Sequence, residues 1–264
     1  MPRATVLITV FNCERYIAAA VESALAQTEH DIEVLVIDDG CTDRSIEVLG
    51  GFGDSRLRIA PCGRLGRARA LNFGLAAAAA DYVAILDADD LTLPDRVRLQ
   101  ADFLDAHEAV MLVGSRFRTV IDGDSEPVRR VVLPTEVGAM VEDLRNFITP
   151  MFHSSVMFRK TAVLAMGGYD EDILCVEDTD LYVRLIGPDR RPAIVNLDTD
   201  LSLKRVHPEQ YHYGSKVGVW QSPWGLRSVE TVKRRIAEAF GPPIANEDDS
   251  PDERPPLPRA ADSR

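Results

Sequence analysis

Residues 82–90 read YVAILDADD, an apolar run of strand-like composition that ends in three acidic residues. Similar runs rich in Val and Ile lie at residues 5–10 and 33–38. Segments with helical spacing separate these runs, among them residues 16–27 and the Ala- and Leu-rich residues 67–80. Strand–helix–strand units of this length pair in parallel through right-handed crossovers. The sequence therefore predicts an α/β fold in which helices flank a mixed, mostly parallel sheet.

The chain after residue 94 has a looser pattern of elements. The expected helices are residues 94–106, 135–145 and 177–185, and the expected strands are 110–117, 153–159 and 201–206. Residues 118–133 are polar and charged, which is typical of a hairpin or a mobile loop. From residue 241 onward, six of the sixteen prolines occur among acids and arginines, so we predict a disordered Pro-rich acidic tail over residues 241–264.

The composition limits the partners and the compartment. Lys and Arg number 30 against 42 Asp and Glu, a net charge of −12. This charge argues against nucleic-acid binding, because that affinity comes largely from cations that neutralise phosphates. We find neither a transmembrane segment nor a signal peptide in the sequence. The four cysteines are scattered, so we expect reduced thiols in a cytoplasmic protein.

The acids that follow the apolar run are the strongest chemical signal. Ligands bind beyond the carboxyl ends of strands in open parallel sheets, where Asp87, Asp89 and Asp90 are expected. Asp87 and Asp89 point the same way if the strand geometry continues, and Mg²⁺ or Mn²⁺ takes such carboxylates together with phosphate oxygens and water. The alternative is an acidic turn that only terminates the strand. Three adjacent acids repel one another without a cation, which favours the metal site.

A second acid pair, Asp38 and Asp39, ends the run at residues 33–38. A carboxylate at this edge could accept a hydrogen bond from a nucleobase N–H or a ribose hydroxyl. Thr9 and Phe11, at the end of the first run, would lie beside it, and Phe11 could stack on a base or belong to the core. A strand-ending turn explains the acid pair equally well.

A third acidic segment, Glu177 and Asp178, opens a predicted helix that also carries Asp180 and Arg184. Acids at a helix N-terminus interact favourably with the helix dipole, and Asp180 and Arg184 have the spacing of a surface ion pair. The functional interpretation is that one carboxylate faces the cleft as a general base. Spacing alone leaves both interpretations open.

Taken in order, several segments resemble the family 2 glycosyltransferases over roughly residues 4–210. The segments are residues 5–12, 37–43 (IDDGCTD), 66–74, 85–90, 167–170 (GGYD) and 177–178 (ED). The resemblance implies a Rossmann-like GT-A fold, a nucleotide-diphosphate sugar donor and an inverting displacement at the anomeric carbon. Cys41 stands where the family has Ser, and we do not expect it to be catalytic.

The resemblance also implies roles for individual residues. For the donor nucleotide they are Thr9, Phe11, Asp38, Asp39, Arg67, Asp87 and Ala88, with Asp39 at the base and Arg69 as the alternative to Arg67. For a Mn²⁺ or Mg²⁺ cofactor they are Asp87, Asp89 and His207. Asp178 corresponds to the general base, and Glu177 and His153 correspond to the acceptor side.

The same resemblance divides the chain. Residues 1–210 would form the catalytic domain, with a nucleotide-binding half at 1–95 and an acceptor-binding half at 96–210, and residues 211–240 a helical, aromatic extension. We expect a UDP-sugar donor and a carbohydrate, lipid-linked or small-molecule acceptor in cell-wall or polysaccharide biosynthesis. Peripheral contact with the inner membrane face and a homodimer are left open.

Two other functions compete with this interpretation. A non-catalytic nucleotide-sugar-binding module would keep the fold, but the acids at all three strategic positions count against it. A sugar nucleotidyltransferase would need a Gly-rich, basic phosphate loop after the first strand, where residues 9–14 read TVFNCE.

Overall fold

The structure is a computed structural model that describes residues 1–124, 126–207 and 222–244. The strands are β1 Ala4–Val10, β2 Ile32–Asp38, β3 Leu57–Pro61, β4 Tyr82–Ile85, β5 Leu91–Thr92, β6 Leu112–Ile121, β7 Arg129–Val131, β8 Met157–Arg159 and β9 Ile194–Val206. The helices are α1 Ile17–Leu25, α2 Ser45–Leu49, α3 Arg67–Ala77, α4 Arg96–Ala106, α5 Val137–Arg145, α6 Lys160–Ala165, α7 Glu177–Ile186 and α8 Pro223–Phe240.

The first half of the chain builds the parallel part of one sheet. β1 lies between β2 and β4, β3 pairs with the outer edge of β2, and all of these pairs are parallel. β1 and β2 are buried along nearly their whole length, which explains why their sequences are continuous apolar runs rather than alternating ones. The predicted α/β fold is confirmed.

The second half of the chain makes the sheet mixed. β8 is antiparallel to both β4 and β6, whereas β6 and β9 run parallel. β7 pairs antiparallel with β6, so the polar segment at 118–133 contains a hairpin, one of its two predicted forms. The order across the sheet is β3-β2-β1-β4-β8-β6-β9-β5, with β7 attached to β6.

Each face of the sheet carries a hydrophobic core. Leu7 and Leu35 pack with residues of α3, α5, α7 and α8, and Val6 and Val34 pack on the opposite face with residues of α1, α2 and α4. This division follows from the strand geometry, because successive side chains point to opposite faces. The carboxyl ends of β1, β2 and β4 therefore open between two packed layers.

The prediction of a strand over residues 153–159 is wrong at its beginning. His153–Ser155 forms a 3₁₀ turn, and the strand is limited to Met157–Arg159. The side chain of Arg96 donates to the carbonyls of Ser154 and Val156 at 2.9 Å each, and Gln100 donates to that of Ser155 at 2.7 Å. Side chains of α4 thus satisfy carbonyl groups that a neighbouring strand would otherwise bind.

The elements β9 and α6 also differ from the sequence prediction. β9 begins at Ile194 rather than at residue 201, and its pairing with β6 shifts register on either side of Arg116. The irregular pairing accommodates acidic residues such as Asp198 and Asp200, which obscure the strand pattern in the sequence. The helix α6 was not predicted, since six residues are too few to display a helical period.

The last described element, α8, packs against α5 and α7. Its N-cap Ser222 accepts a hydrogen bond from Gly225 N–H, and Val232, Ile236 and Phe240 are its buried face. The aromatic residues expected to precede it, Tyr211 to Trp220, and the tail from residue 245 lie outside the described residues. Within the ranges that the structure describes, no helix combines the length and apolarity needed to cross a bilayer.

We expect Gly74→Ala to destabilise the protein, because a Cβ at this position of α3 would lie 2.4 Å from Leu7 Cδ1 and 3.1 Å from Ile37 Cγ1. Overpacking of this kind costs about 1–3 kcal/mol. Gly138→Ala in α5 is the matched control, since a Cβ there meets nothing within 4 Å and gains helix propensity. Urea unfolding measures both, and equal stability of the two variants would contradict the packing argument.

Candidate active site

The predicted acid cluster forms where β4 ends. One carboxylate oxygen each from Asp87, Asp89 and Asp90 lies within 4.8 Å of the others. Asp90 is only 2% exposed and accepts a hydrogen bond from Arg205 N–H at 2.9 Å. Burial and then the neighbouring Asp89 and Asp87 raise the pKa of Asp90 well above its usual value. Oxygen ligands brought together in this way suit a hard divalent cation.

His207, at the end of β9, completes this side of the site. Its Nε2 lies 3.0 Å from Asp89 Oδ2, and its ring packs on that of Tyr16 with centroids 4.2 Å apart. His207 Nδ1 is buried and has no hydrogen-bond partner among the described residues. The imidazole and the carboxylate that the family resemblance assigns to one metal are thus in contact.

Arg67, the first residue of α3, joins two acidic segments. Its Nη2 donates to Asp87 Oδ1 at 2.6 Å and its Nε donates to Glu177 Oε1 at 2.7 Å. Burial alone would raise the pKa of Asp87, but neighbouring positive charges, that of Arg67 foremost, lower it. Burial raises the pKa of Glu177 despite the same cation. Of the two arginines proposed from the sequence, Arg67 contacts the acids, whereas Arg69 pairs with the exposed Glu171.

Asp178 follows the buried Glu177 in the first turn of α7. Its Oδ1 accepts a hydrogen bond from Thr179 N–H at 2.7 Å, and its side chain is partly exposed. Val176, just before them, has a φ of 61° in the left-handed region. That conformation costs a β-branched residue about 1–3 kcal/mol and tends to occur at functional sites. The strained turn at Val176 determines the direction in which the side chains of Glu177 and Asp178 project from α7.

His153 is buried close to Glu177 and lies between two tyrosines. Its Nδ1 is 2.8 Å from Tyr182 Oη and its Nε2 is 3.1 Å from Tyr169 Oη. Burial, and next the positive charge of Arg67, lower the pKa of His153 to about 4. The imidazole is therefore neutral at physiological pH, with one nitrogen donating and the other accepting. It supports the site from the buried side.

The residues predicted for the nucleotide lie at the ends of β1 and β2. Asp38 Oδ1 accepts a hydrogen bond from Cys41 N–H at 2.8 Å and so closes a turn. Asp39 is 3% exposed, and its Oδ1 accepts from Leu65 N–H at 2.7 Å and from Gly66 N–H at 3.1 Å.

Phe11 is 42% exposed, whereas Thr9 is half-buried beside Ile37 and Ala88 is buried between the acids. Burial raises the pKa of Cys41 to about 11, in keeping with a structural thiol. The ring of Phe11 is thus a partly exposed apolar surface at this end of β1, and Arg64 Cζ lies 3.4 Å from its centroid.

Four residues near the site were not identified from the sequence. Arg64 pairs with Asp39, Arg205 donates its Nε to Asp89 O at 3.0 Å, and Val176 carries the strained turn. The fourth, Arg96, is fully buried, and its hydrogen bonds within the described part of the chain go to neutral oxygens. Arg96 and Gln100 could have been identified from the sequence, because they are two polar residues spaced four apart on the otherwise apolar face of α4.

Known proteins resemble this chain in sequence and in fold. The amylovoran biosynthesis glycosyltransferase AmsE of Erwinia amylovora is 29% identical over 187 residues, which are 69% of this chain and 69% of AmsE. The structure of S. aureus TarS 1-349 in complex with UDP-GlcNAc is 18% identical and matches with a TM-score of 0.68, over 90% of this chain and 67% of that one. The mannosyltransferase PcManGT of Pyrobaculum calidifontis, in complex with GDP-Man and Mn²⁺, is 16% identical and matches with a TM-score of 0.60, over 90% and 74%.

These matches define the fold and the family. The similarity to TarS and PcManGT identifies the GT-A fold. The chain spans between 35% and 69% of the lengths of eight curated relatives that it matches. The family model "Glycosyl transferase family 2" matches residues 5–164, more than half of the chain. The protein is therefore a member of glycosyl transferase family 2.

Proposed function

We propose that the protein is a metal-dependent, inverting glycosyltransferase that moves a sugar from a nucleotide diphosphate to an acceptor hydroxyl. The observation that carries this proposal is the bridge from Asp87 through Arg67 to Glu177. It holds an acid cluster suited to a cation next to Asp178, a carboxylate suited to proton abstraction. A displacement at the anomeric carbon needs a cation at the leaving group and a carboxylate at the attacking hydroxyl.

Phe11 and Asp39 would bind the nucleobase of the donor. The half-exposed ring of Phe11 offers a stacking surface, and the carboxylate of Asp39 accepts hydrogen bonds. Uracil and guanine carry an N–H donor on the edge where cytosine and adenine carry an acceptor, so Asp39 favours the first two. Two backbone N–H groups already occupy Oδ1 of Asp39. Oδ2 of Asp39 accepts from Arg64 and, at 3.2 Å, from Gly66 N–H. Support for a UDP-sugar comes from the neighbour TarS, whose structure is in complex with UDP-GlcNAc.

Asp89, Asp87 and His207 would hold the Mn²⁺ or Mg²⁺ ion. Their fit rests on the close approach of the carboxylate oxygens and on the contact between His207 and Asp89. When bound, the cation supplies Lewis-acid stabilisation of the charge that develops on the leaving diphosphate. Asp87 is shared with Arg67, whose positive charge keeps that carboxyl ionised.

Asp178 would accept the proton of the acceptor hydroxyl. Its place in the first turn of α7 puts it at the positive end of the helix dipole, where a negative charge is favourable. The hydrogen bond from Thr179 N–H fixes the carboxylate plane. A single displacement by the deprotonated hydroxyl inverts the configuration at the anomeric carbon. The name of the relative AmsE supports an acceptor in polysaccharide biosynthesis.

Replacement of the proposed base should separate binding from chemistry. We expect Asp178→Asn to lower kcat on the order of a hundredfold to ten-thousandfold, because the amide cannot take the proton. Donor affinity should stay within about twofold of the wild type. Asp172→Asn, at an exposed acid of the preceding loop, is the control. Transfer assays and calorimetry measure the two quantities; unchanged turnover would remove Asp178 from the mechanism, and no turnover in the wild type would favour the binding module.

The metal proposal predicts a cation-dependent donor affinity. UDP should bind the wild type more tightly with Mn²⁺ than with a chelator, and Asp89→Ala should reduce that gain by about tenfold or more. Asp81→Ala, at an exposed acid before β4, should keep the gain. Calorimetric titrations with and without Mn²⁺ give both values. A full gain in Asp89→Ala would exclude Asp89 as a ligand.

The Arg67 bridge predicts energetic coupling between α3 and α7. Arg67→Gln leaves the buried Glu177 without its cation, so we expect a loss of about 1–3 kcal/mol in the free energy of unfolding. Arg69→Gln breaks an exposed pair and should cost less than about 0.5 kcal/mol. The double variant Arg67→Gln/Glu177→Gln should recover part of the loss. Strict additivity in urea unfolding would contradict the bridge.

A further inference from the structure

Arg64 lies across the surface that the proposed function assigns to the nucleobase. Its guanidinium carbon is 3.4 Å from the centroid of the Phe11 ring. Its Nη1 donates to Asp39 Oδ2. One side chain thus occupies both groups that would recognise a base, the aromatic face and the carboxylate.

The backbone that carries Arg64 is held independently of its side chain. Leu65 and Gly66 donate their N–H groups to Asp39 Oδ1, which fixes the loop before α3. Gly40 has a φ of 79°, and a Cβ there would lie 3.1 Å from Arg64 N, so glycine permits this close approach. The Arg64 side chain itself is 56% exposed. Its end can leave the pocket without any loss of these backbone bonds.

A guanidinium and a nucleobase compete for this position because they offer the same contacts. Both are flat, both stack on an aromatic ring, and both present N–H donors in their own plane. A base stacked on Phe11 with its N–H on Asp39 Oδ2 needs the volume in which Arg64 Cζ now lies. The two groups exclude each other.

We propose that Arg64 is an internal occupant of the base subsite, bound there in the free protein and displaced when a nucleotide binds. This inference rests on the proposed function, since it needs a base at Phe11 and Asp39. In the free protein Arg64 neutralises the 3% exposed Asp39 and covers the ring of Phe11. The apparent dissociation constant is raised by the inverse of the fraction of molecules in which the subsite is open.

The opposite role for Arg64 is a direct contact with the donor. An arginine that binds the diphosphate would strengthen UDP binding and leave the nucleoside unaffected. An arginine that stacks on the outer face of the base would strengthen the binding of both ligands. Internal occupation is distinguished from these roles by the sign of the effect, because removal of a competitor tightens binding.

The test compares Arg64→Ala with the wild type in binding the preferred nucleotide, UDP or GDP, and its nucleoside. We expect both ligands to bind Arg64→Ala more tightly, by the same factor of about threefold to tenfold, since both must displace Arg64. Arg64→Gln, which keeps a donor for Asp39 without the charge, should give a smaller gain. Arg98→Ala, at an exposed arginine paired with Asp95 on α4, should leave both affinities unchanged.

Calorimetry suits the diphosphate and an NMR titration suits the weaker nucleoside, with melting curves to establish that each variant is folded. Unchanged or weaker binding to Arg64→Ala, while the wild type binds the nucleotide, overturns this inference and leaves the proposed function standing. Weaker binding of the diphosphate alone assigns Arg64 to the phosphates and also overturns it. If neither UDP nor GDP binds the wild type or Arg64→Ala, the proposed function fails and the inference fails with it.

Discussion

The bridge that Arg67 makes between Asp87 and Glu177 determines the arrangement of the site. The two carboxylates come from the loop after β4 and from α7, and they would repel each other if no cation lay between them. Arg67 in turn begins α3 directly after Gly66, whose N–H is bound to Asp39. Residues 64–67 thus contact the acid proposed for the base, the acid proposed for the metal and the acid beside the proposed general base.

A second arginine, Arg96, lies in the core close to the acids that follow β4. Arg96 is fully buried and donates to the carbonyls of Ile85, Ser154 and Val156 rather than to a carboxylate. Burial lowers its pKa to about 9, and the charges of Asp87 and Asp90 oppose that decrease. The same contacts give the 3₁₀ turn that carries His153. Support of the acid cluster and the shape of the 153–155 segment therefore have a common cause.

The sequence predicted features that arise from local periodicity and failed where distant partners decide. Burial on both faces produces the apolar runs of β1, β2 and β4, so their parallel pairing could be expected, and with it the location of Asp39 and the acids after β4 at the same edge of the sheet. The burial of Glu177 depends on Arg67, 110 residues away in the chain, and no spacing rule connects the two. The left-handed conformation of Val176 could not be predicted from the sequence, because valine ordinarily avoids that conformation. The position of the Arg64 side chain could not be predicted either, since an exposed arginine in a loop ordinarily has no fixed partner.

The charge of the site explains why donor and cation binding should depend on each other. Asp87, Asp89 and Asp90 lie within a few ångströms, and Arg67 is shared between Asp87 and Glu177. Negative charge is therefore concentrated here, and burial together with the neighbouring Asp89 and Asp87 raises the pKa of Asp90. A diphosphate brought alone to this edge would add negative charge to an excess of it. A divalent cation reverses the sign of that interaction, so the acidic net charge of the chain and the binding of a phosphorylated donor are compatible through the ion.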